Sequence, residues 1–88
     1  MRFTTARLCG GKALMAISAD ELDIDIAKAA EKFRAEGCEI ASQDEVMLVF
    51  TWNGMDTTLY KVGKVMFLPL EDKHLCIKYA TQILESLI

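Results

Sequence analysis

The side chains of this 88-residue chain that could act as nucleophiles or metal ligands include three cysteines and one histidine. Cys9, Cys38 and Cys76 do not form the C-x2-C spacing of a zinc site, and their odd number does not favour a disulfide framework. His74 lies two residues from Cys76, a spacing that directs the two side chains to different sides of a helix. We therefore predict no catalytic residue, no metal site and no cofactor, and expect a protein that is not an enzyme.

Two acidic clusters could also be taken for sites. Residues 20–25 carry four carboxylates, and residues 71–74 read Glu-Asp-Lys-His. Each cluster precedes or opens a predicted helix, where negative charge complements the helix dipole and caps free N–H groups. We interpret both clusters as residues that cap a helix N-terminus and complement its dipole, rather than as metal or catalytic sites.

The N-terminal half predicts two strands and a helix. Residues 2–9 favour an extended chain, Gly10-Gly11 indicates a turn, and residues 12–18 are predicted to return as a second strand. Ser18 to Glu21 has the S-x-x-E form of a capping box. It precedes apolar residues at helical spacing, and Gly37 follows as a C-terminal cap. That helical face comprises Leu22, Ile26, Ala29 and Phe33.

The C-terminal half predicts a meander of strands and a second helix. Asn53-Gly54 is the strongest short signal for a β-hairpin, because a type I′ turn needs positive φ at both positions. Pro69 indicates an edge strand or a strand end. Asp72 is a predicted N-cap for a helix over 73–88 with an apolar stripe. The predicted strands are 38–41, 45–52, 55–62 and 65–70.

The order of these elements predicts an α+β class: one or two strands, a helix, four antiparallel strands and a helix. We expect one domain over residues 1–88, with residues 1–11 as an extra N-terminal strand and Gly-Gly turn. The helices should pack on one face of a curved antiparallel sheet. The apolar runs are too short to span a bilayer, and no secretory signal opens the chain. We expect a cytoplasmic protein without a membrane partner.

The Asn53-Gly54 turn also predicts which side chains share a sheet face. It pairs Trp52 with Met55, and the alternation then assigns the heavier apolar set to the helices: Val46, Leu48, Phe50, Trp52, Met55 and Leu59. The other face carries Met47, Val49, Thr51, Asp56, Thr58, Tyr60 and Val62, to which the next strand adds Met66 or Leu68. An apolar face of this kind usually has a partner. The alternatives are that the N-terminal segment folds over it, or that the two faces are reversed.

From about Lys12 onward the chain resembles one repeat of the TATA-binding protein family. The resemblance rests on the order of elements and on residues 57–68, where an apolar strand ends in an aromatic residue and Gly63-Lys64 precedes a second apolar strand. The small hybrid-binding domain of type 3 bacterial ribonucleases H is similar in the same stretch. The resemblance implies that Tyr60 stands where the family has a base-wedging phenylalanine, with Met66 and Leu68 on the concave face that meets nucleic acid.

Charge limits what the resemblance implies. The net charge is −3, and we expect at most three lysines near the face of one chain, or six in a dimer. Six is the low end of the roughly 6–10 phosphate contacts that strong nucleic-acid binders make. Candidate phosphate contacts are Lys12, Lys61 and Lys64. The candidate interaction face comprises Met47, Val49, Thr58, Tyr60, Met66 and Leu68.

Three functions follow as hypotheses. We favour a non-catalytic interaction module that uses the apolar sheet face to form a homodimer or to bind another protein. The first alternative is a nucleic-acid-binding domain that uses the same face. The second is a small enzyme or ligand-binding protein whose site forms between subunits.

Overall fold

The computed structural model describes residues 2–87, apart from the side chain of Cys9. The chain forms a six-stranded antiparallel sheet and two helices, which confirms the α+β class. In chain order the elements are β1 (Phe3–Leu8), a short 3-10 turn (Cys9–Gly11), β2 (Ala13–Ser18), α1 (Ile26–Ala35), β3 (Ile40–Gln43), β4 (Met47–Trp52), β5 (Met55–Tyr60), β6 (Lys64–Leu68) and α2 (Lys73–Glu85).

The strand order across the sheet is β1-β2-β6-β5-β4-β3. Two hairpin systems meet at its centre: β1–β2 from the N-terminus, and the meander β3–β4–β5–β6. The segment through α1 carries the chain from β2 to the far edge, so β6 returns to pair with β2. β6 is therefore a central strand, and the prediction that Pro69 marks an edge strand is wrong. The other reading of Pro69 is confirmed, because β6 ends at Leu68.

The hairpin predicted at Asn53-Gly54 forms in the expected register. Asn53 has φ 51° and Gly54 has φ 76°, the positive values that a type I′ turn requires. Trp52 pairs with Met55, and the ladder continues from there with Phe50 opposite Thr57 and Leu48 opposite Leu59. The turn thus decides which side chains of both strands point toward the helices.

Both helices pack on the same face of the sheet. α1 lies against β3 and β4, and α2 lies against β1 and β2. At the centre the rings of Phe33 and Phe50 stack with centroids 4.6 Å apart. The core contains side chains from both helices and from the helix-facing side of the strands: Leu14, Ala16, Ile26, Ala29, Phe33, Leu48, Phe50, Leu59, Val65, Phe67, Cys76, Ala80, Ile83 and Leu84. Val46 was predicted on this side, but it lies in a turn and is 58% exposed.

α1 begins about seven residues later than predicted, because its N-cap is Asp25 and not Ser18 of the capping box. Ser18 Oγ accepts only a local bond from the Asp20 N–H, and Asp25 is the N-cap, with a bond from the Lys28 N–H at 3.1 Å. The chain instead bends at residues 19 and 20 and stays non-helical to Asp25, where the N–H groups of Leu22 and Ile24 bond the carbonyls of Val62 and Lys61. This long-range pairing overrides the local helix signal.

The helix ends follow the predicted chemistry. Gly37 has φ 90° and donates its N–H to the Arg34 carbonyl, while the Cys38 N–H bonds the Phe33 carbonyl. This pair of bonds is a Schellman cap. Asp72 caps α2, where its carboxylate accepts from the N–H groups of His74 and Leu75.

Gly63 and Gly54 allow a test of how the non-helical segment before α1 packs. Both have positive φ, but a Cβ at Gly63 would lie 3.0 Å from Leu22 Cδ1, whereas a Cβ at Gly54 meets nothing within 4 Å. We expect Gly54→Ala to cost about 1 kcal/mol from backbone strain alone, and Gly63→Ala to cost about 1–3 kcal/mol more through overpacking. Urea unfolding measures both. Adding Leu22→Ala to Gly63→Ala should restore the part of the unfolding free energy that is lost through overpacking. If Gly54→Ala and Gly63→Ala lower the unfolding free energy equally, Leu22 does not pack against Gly63 as described.

Candidate interaction surface

The side of the sheet opposite the helices is here called the open face. The strand pairings arrange its side chains in three rows that cross the sheet. The middle row is Ala6, Met15, Met66, Thr58, Val49 and Ser42. The row toward the Asn53-Gly54 turn is Leu8, Ala13, Leu68, Asp56 and Thr51. The row at the other end is Thr4, Ile17, Lys64, Tyr60 and Met47.

No helix or further strand within residues 2–87 packs over the open face. Its large apolar residues, such as Met15 and Met66, are absent from the core cluster and from the set that packs against it. β1 lies in the plane of the sheet as an edge strand paired with β2, so the alternative that the N-terminal segment folds over this face is wrong. The reversed assignment of the two faces is also wrong, because Leu48, Phe50 and Leu59 are buried beneath the helices. The described chain leaves this face as an apolar surface.

All six residues of the predicted interaction face lie on the open face. Met66 and Thr58 are cross-strand partners at its centre, and Val49 continues the same row. Tyr60 and Met47 pair in the row beyond them, and Leu68 lies in the opposite row. Thr58 is buried at 6% exposure, whereas the five larger side chains are half-buried. The pleat therefore presents a ring of apolar groups around a small central residue.

The N-terminal hairpin supplies a part of the open face that was not predicted from the sequence. Met15 and Ile17 from β2 extend the apolar surface beyond β6, and Ala6 and Leu8 from β1 extend it further. A signal was present: residues 13–17 are apolar at every position, as is typical of a strand buried on both faces. The pairing of β2 with β6 is what places these residues beside Met66.

Charge on the open face is confined to two positions of the six described strands. Lys64 pairs with Tyr60 across β5 and β6, and Asp56 pairs with Leu68 on the same two strands. The two charges are four residues apart along the ladder, which is about 14 Å at ordinary strand spacings. They do not form an ion pair within the chain.

The three candidate phosphate contacts do not come together. Lys64 lies on the open face, whereas Lys12 lies beyond the opposite end of β2, where its carbonyl accepts from the Leu70 N–H. Lys61 lies in the turn after β5, and its Nζ is 3.4 Å from Asp23 Oδ1. Of the three lysines, only Lys64 belongs to the rows of the open face.

Two of the acidic residues near Lys61 are used in a helix cap and a turn. An open cleft beside Lys61 is lined by Asp23, Asp25, Asp44 and Glu45. Asp25 caps α1, and Asp44 accepts from the N–H groups of Val46 and Met47 at 2.8 and 2.9 Å. Across residues 2–87 no group of three His, Cys, Asp or Glu side chains could hold a metal ion.

The two described cysteine thiols are poor nucleophiles. Burial raises the pKa of the Cys76 thiol to about 11, and burial, with a smaller contribution from the Glu36 carboxylate, raises the pKa of Cys38. Raised pKa values keep both thiols protonated near neutral pH, where the thiolate would be the reactive form. His74 is exposed at the start of α2, and only its backbone N–H is engaged by the Asp72 cap. These groups do not form a catalytic cluster.

No protein-family model, curated protein or solved structure matches this chain. The part of the chain that the structure describes contains no helix that is both long and apolar enough to cross a membrane.

The buried Cys76 thiol predicts a loss of stability at high pH. The pKa of the folded-state thiol lies above 9.0, the value of an unburied thiol, so the unfolded state loses its proton first as pH rises. Stability should therefore be intact below pH 9 and decline between pH 9 and 11, by up to about 2–3 kcal/mol for two pKa units. Urea unfolding at several pH values measures this decline.

Cys76→Ala is the control for that decline. It removes a titrating group from the core, so it should lower stability at pH 7 but flatten the slope above pH 9 relative to the native chain. Equal slopes in the two proteins would show that Cys76 does not titrate as a buried thiol.

Proposed function

We propose that this chain is a small, cytoplasmic, non-catalytic interaction module that binds protein through the open face. The observation that carries the proposal is the apolar surface around Met66, which spans six strands and meets no other element of the described chain. Apolar patches of this extent on a folded domain commonly mark protein-binding sites.

The composition of the face favours protein over nucleic acid as the partner. Lys64 is balanced by Asp56, so the face has no net charge, and Lys61 is engaged with Asp23 at its rim. A nucleic-acid surface needs several unopposed cations, because each neutralised phosphate contributes to affinity. Methionine side chains such as Met15, Met47 and Met66 instead suit an adaptable apolar contact.

We also propose that residues from β2 to α2 have the TATA-binding-protein-like fold, with β1 as an added strand. The order of elements from β2 onward supports this, since it runs strand, helix, four strands and helix as the resemblance implies. On this proposal the open face corresponds to the family's binding face, used here with an apolar rather than a basic surface.

Substitution at the centre of the face tests the function. Met66→Glu places a carboxylate among apolar groups and should abolish binding to protein partners with little change in thermal unfolding, because Met66 lies outside the core cluster. The matched control is Gln82→Glu, an exposed position on α2 on the other side of the sheet. Immobilised native and variant chains are incubated with an extract of the source cells, and retained proteins are quantified by mass spectrometry.

We expect a set of proteins, which can include this chain itself, to be retained by the native chain and by Gln82→Glu but lost with Met66→Glu. If the Met66→Glu chain retains the same proteins as the native chain, the proposal is overturned. In parallel, fluorescence anisotropy with duplex DNA, single-stranded DNA and an RNA–DNA hybrid measures nucleic-acid binding. A steep salt dependence that Lys64→Glu reduces would replace protein with nucleic acid as the ligand.

A further inference from the structure

We propose that a second copy of this chain covers the open face, sheet against sheet, in a two-fold dimer that joins Lys64 of each copy to Asp56 of the other. This inference rests on the proposed function and names its partner. It comes from the placement of the two charges on a face that is otherwise apolar or neutral.

Covering the open face would bury both charges. Lys64 and Asp56 lie on neighbouring strands about 14 Å apart, too far to neutralise each other within one chain. Burying a charge without a partner is strongly unfavourable, so a suitable partner must present a carboxylate over Lys64 and a cation over Asp56. A second copy supplies both at the same spacing, since a two-fold axis brings residue i against j and j against i.

The geometry of such a pairing is that of ordinary sheet packing. The line from Lys64 to Asp56 moves about 13 Å along the strands and about 4.8 Å across them, so it is inclined by about 20° to the strands. A two-fold axis that exchanges the two positions lies in the interface and bisects this line. The strands of the two sheets then cross at about 40°, close to the roughly 30° of aligned sheet packing.

The same axis brings like apolar groups together. It passes between β5 and β6 at the level of the Thr58–Met66 pair, so each of these residues faces its own copy. Thr58 is small and buried, which leaves room at the axis for the two Met66 side chains. Val49 then lies over the row of Tyr60 and Met47 of the second copy, and the product is a four-layer α/β/β/α sandwich.

The area of the face is sufficient. Six strands at about 4.8 Å and about five residues of each strand give a footprint of about 500 Å² per copy. The width agrees with the 30 Å longest extent of the chain. Two copies together reach about 1,000 Å², the size from which specific interfaces begin.

Reversing the charges at Lys64 and Asp56 distinguishes this dimer from a less specific apolar contact. Analytical ultracentrifugation over about 1–200 μM should show a dimer for the native chain. Lys64→Asp and Asp56→Lys each place like charges together at two contacts, so each should weaken dimerisation at least tenfold. The double variant Lys64→Asp/Asp56→Lys restores both pairs in reverse and should dimerise within a few-fold of the native chain.

Mixing the two single variants gives the sharpest result. In the mixed dimer both pairs are complementary, so equimolar Lys64→Asp and Asp56→Lys should associate although each alone is weakened. Circular dichroism of each variant establishes that it is folded. Gln82→Glu, which adds a charge away from the open face, is again the control and should not change dimerisation. Failure of both the double variant and the mixture to associate would overturn the Lys64–Asp56 pairing.

The outcome also separates this inference from the proposed function. A native chain that stays monomeric over the whole concentration range overturns the second copy as partner. If extract proteins are nevertheless lost with Met66→Glu, the interaction module stands and its partner is a different protein.

Discussion

The structure depends on a mismatch between the sheet and the helices that cover it. The sheet is six strands wide, about 29 Å, and two helices of about 10 Å diameter can cover one face only. α1 covers the β3–β4 side and α2 the β1–β2 side, and Phe33 stacked on Phe50 helps to fill the core beneath them. Strands β2 and β6 nevertheless carry apolar residues on both faces. A strand with that composition is typical of a sheet covered on both sides, so the open face is built like a second core surface.

Local signals predicted most of the fold. The two-residue turn at Asn53-Gly54 set the pairing register of β4 and β5. The register in turn determined which sheet face carries residues such as Phe50 and Tyr60. The Gly37 cap and the Asp72 cap could be predicted from the sequence because capping depends on a few neighbouring residues. All six residues predicted for the interaction face lie together because side chains in a strand alternate strictly between faces.

What could not be predicted depends on contacts between distant residues. The capping box at Ser18 is sound local chemistry, yet the residues up to Asp25 stay non-helical because Leu22 and Ile24 bond the turn after β5. Likewise, the place of β6 at the centre follows from its pairing with β2, which nothing in the Pro69 signal encodes. The same pairing adds Met15 and Ile17 to the open face and separates Lys12 from Lys64, so the size and charge of the candidate site emerge only in the assembled sheet.

The charges on the open face bear on specificity more than on affinity. An apolar face alone would accept many partners and several registers, because burial of apolar area is non-directional. Lys64 and Asp56 restrict that freedom, since any arrangement that buries one of them without an opposite charge is penalised. Their net contribution to binding is small once desolvation is counted, but the penalty for misalignment is large. The open face is apolar, neutral overall and marked by one diagonal charge pair. This is why we propose a second copy of the chain as its partner, rather than a nucleic acid with its uniformly negative backbone.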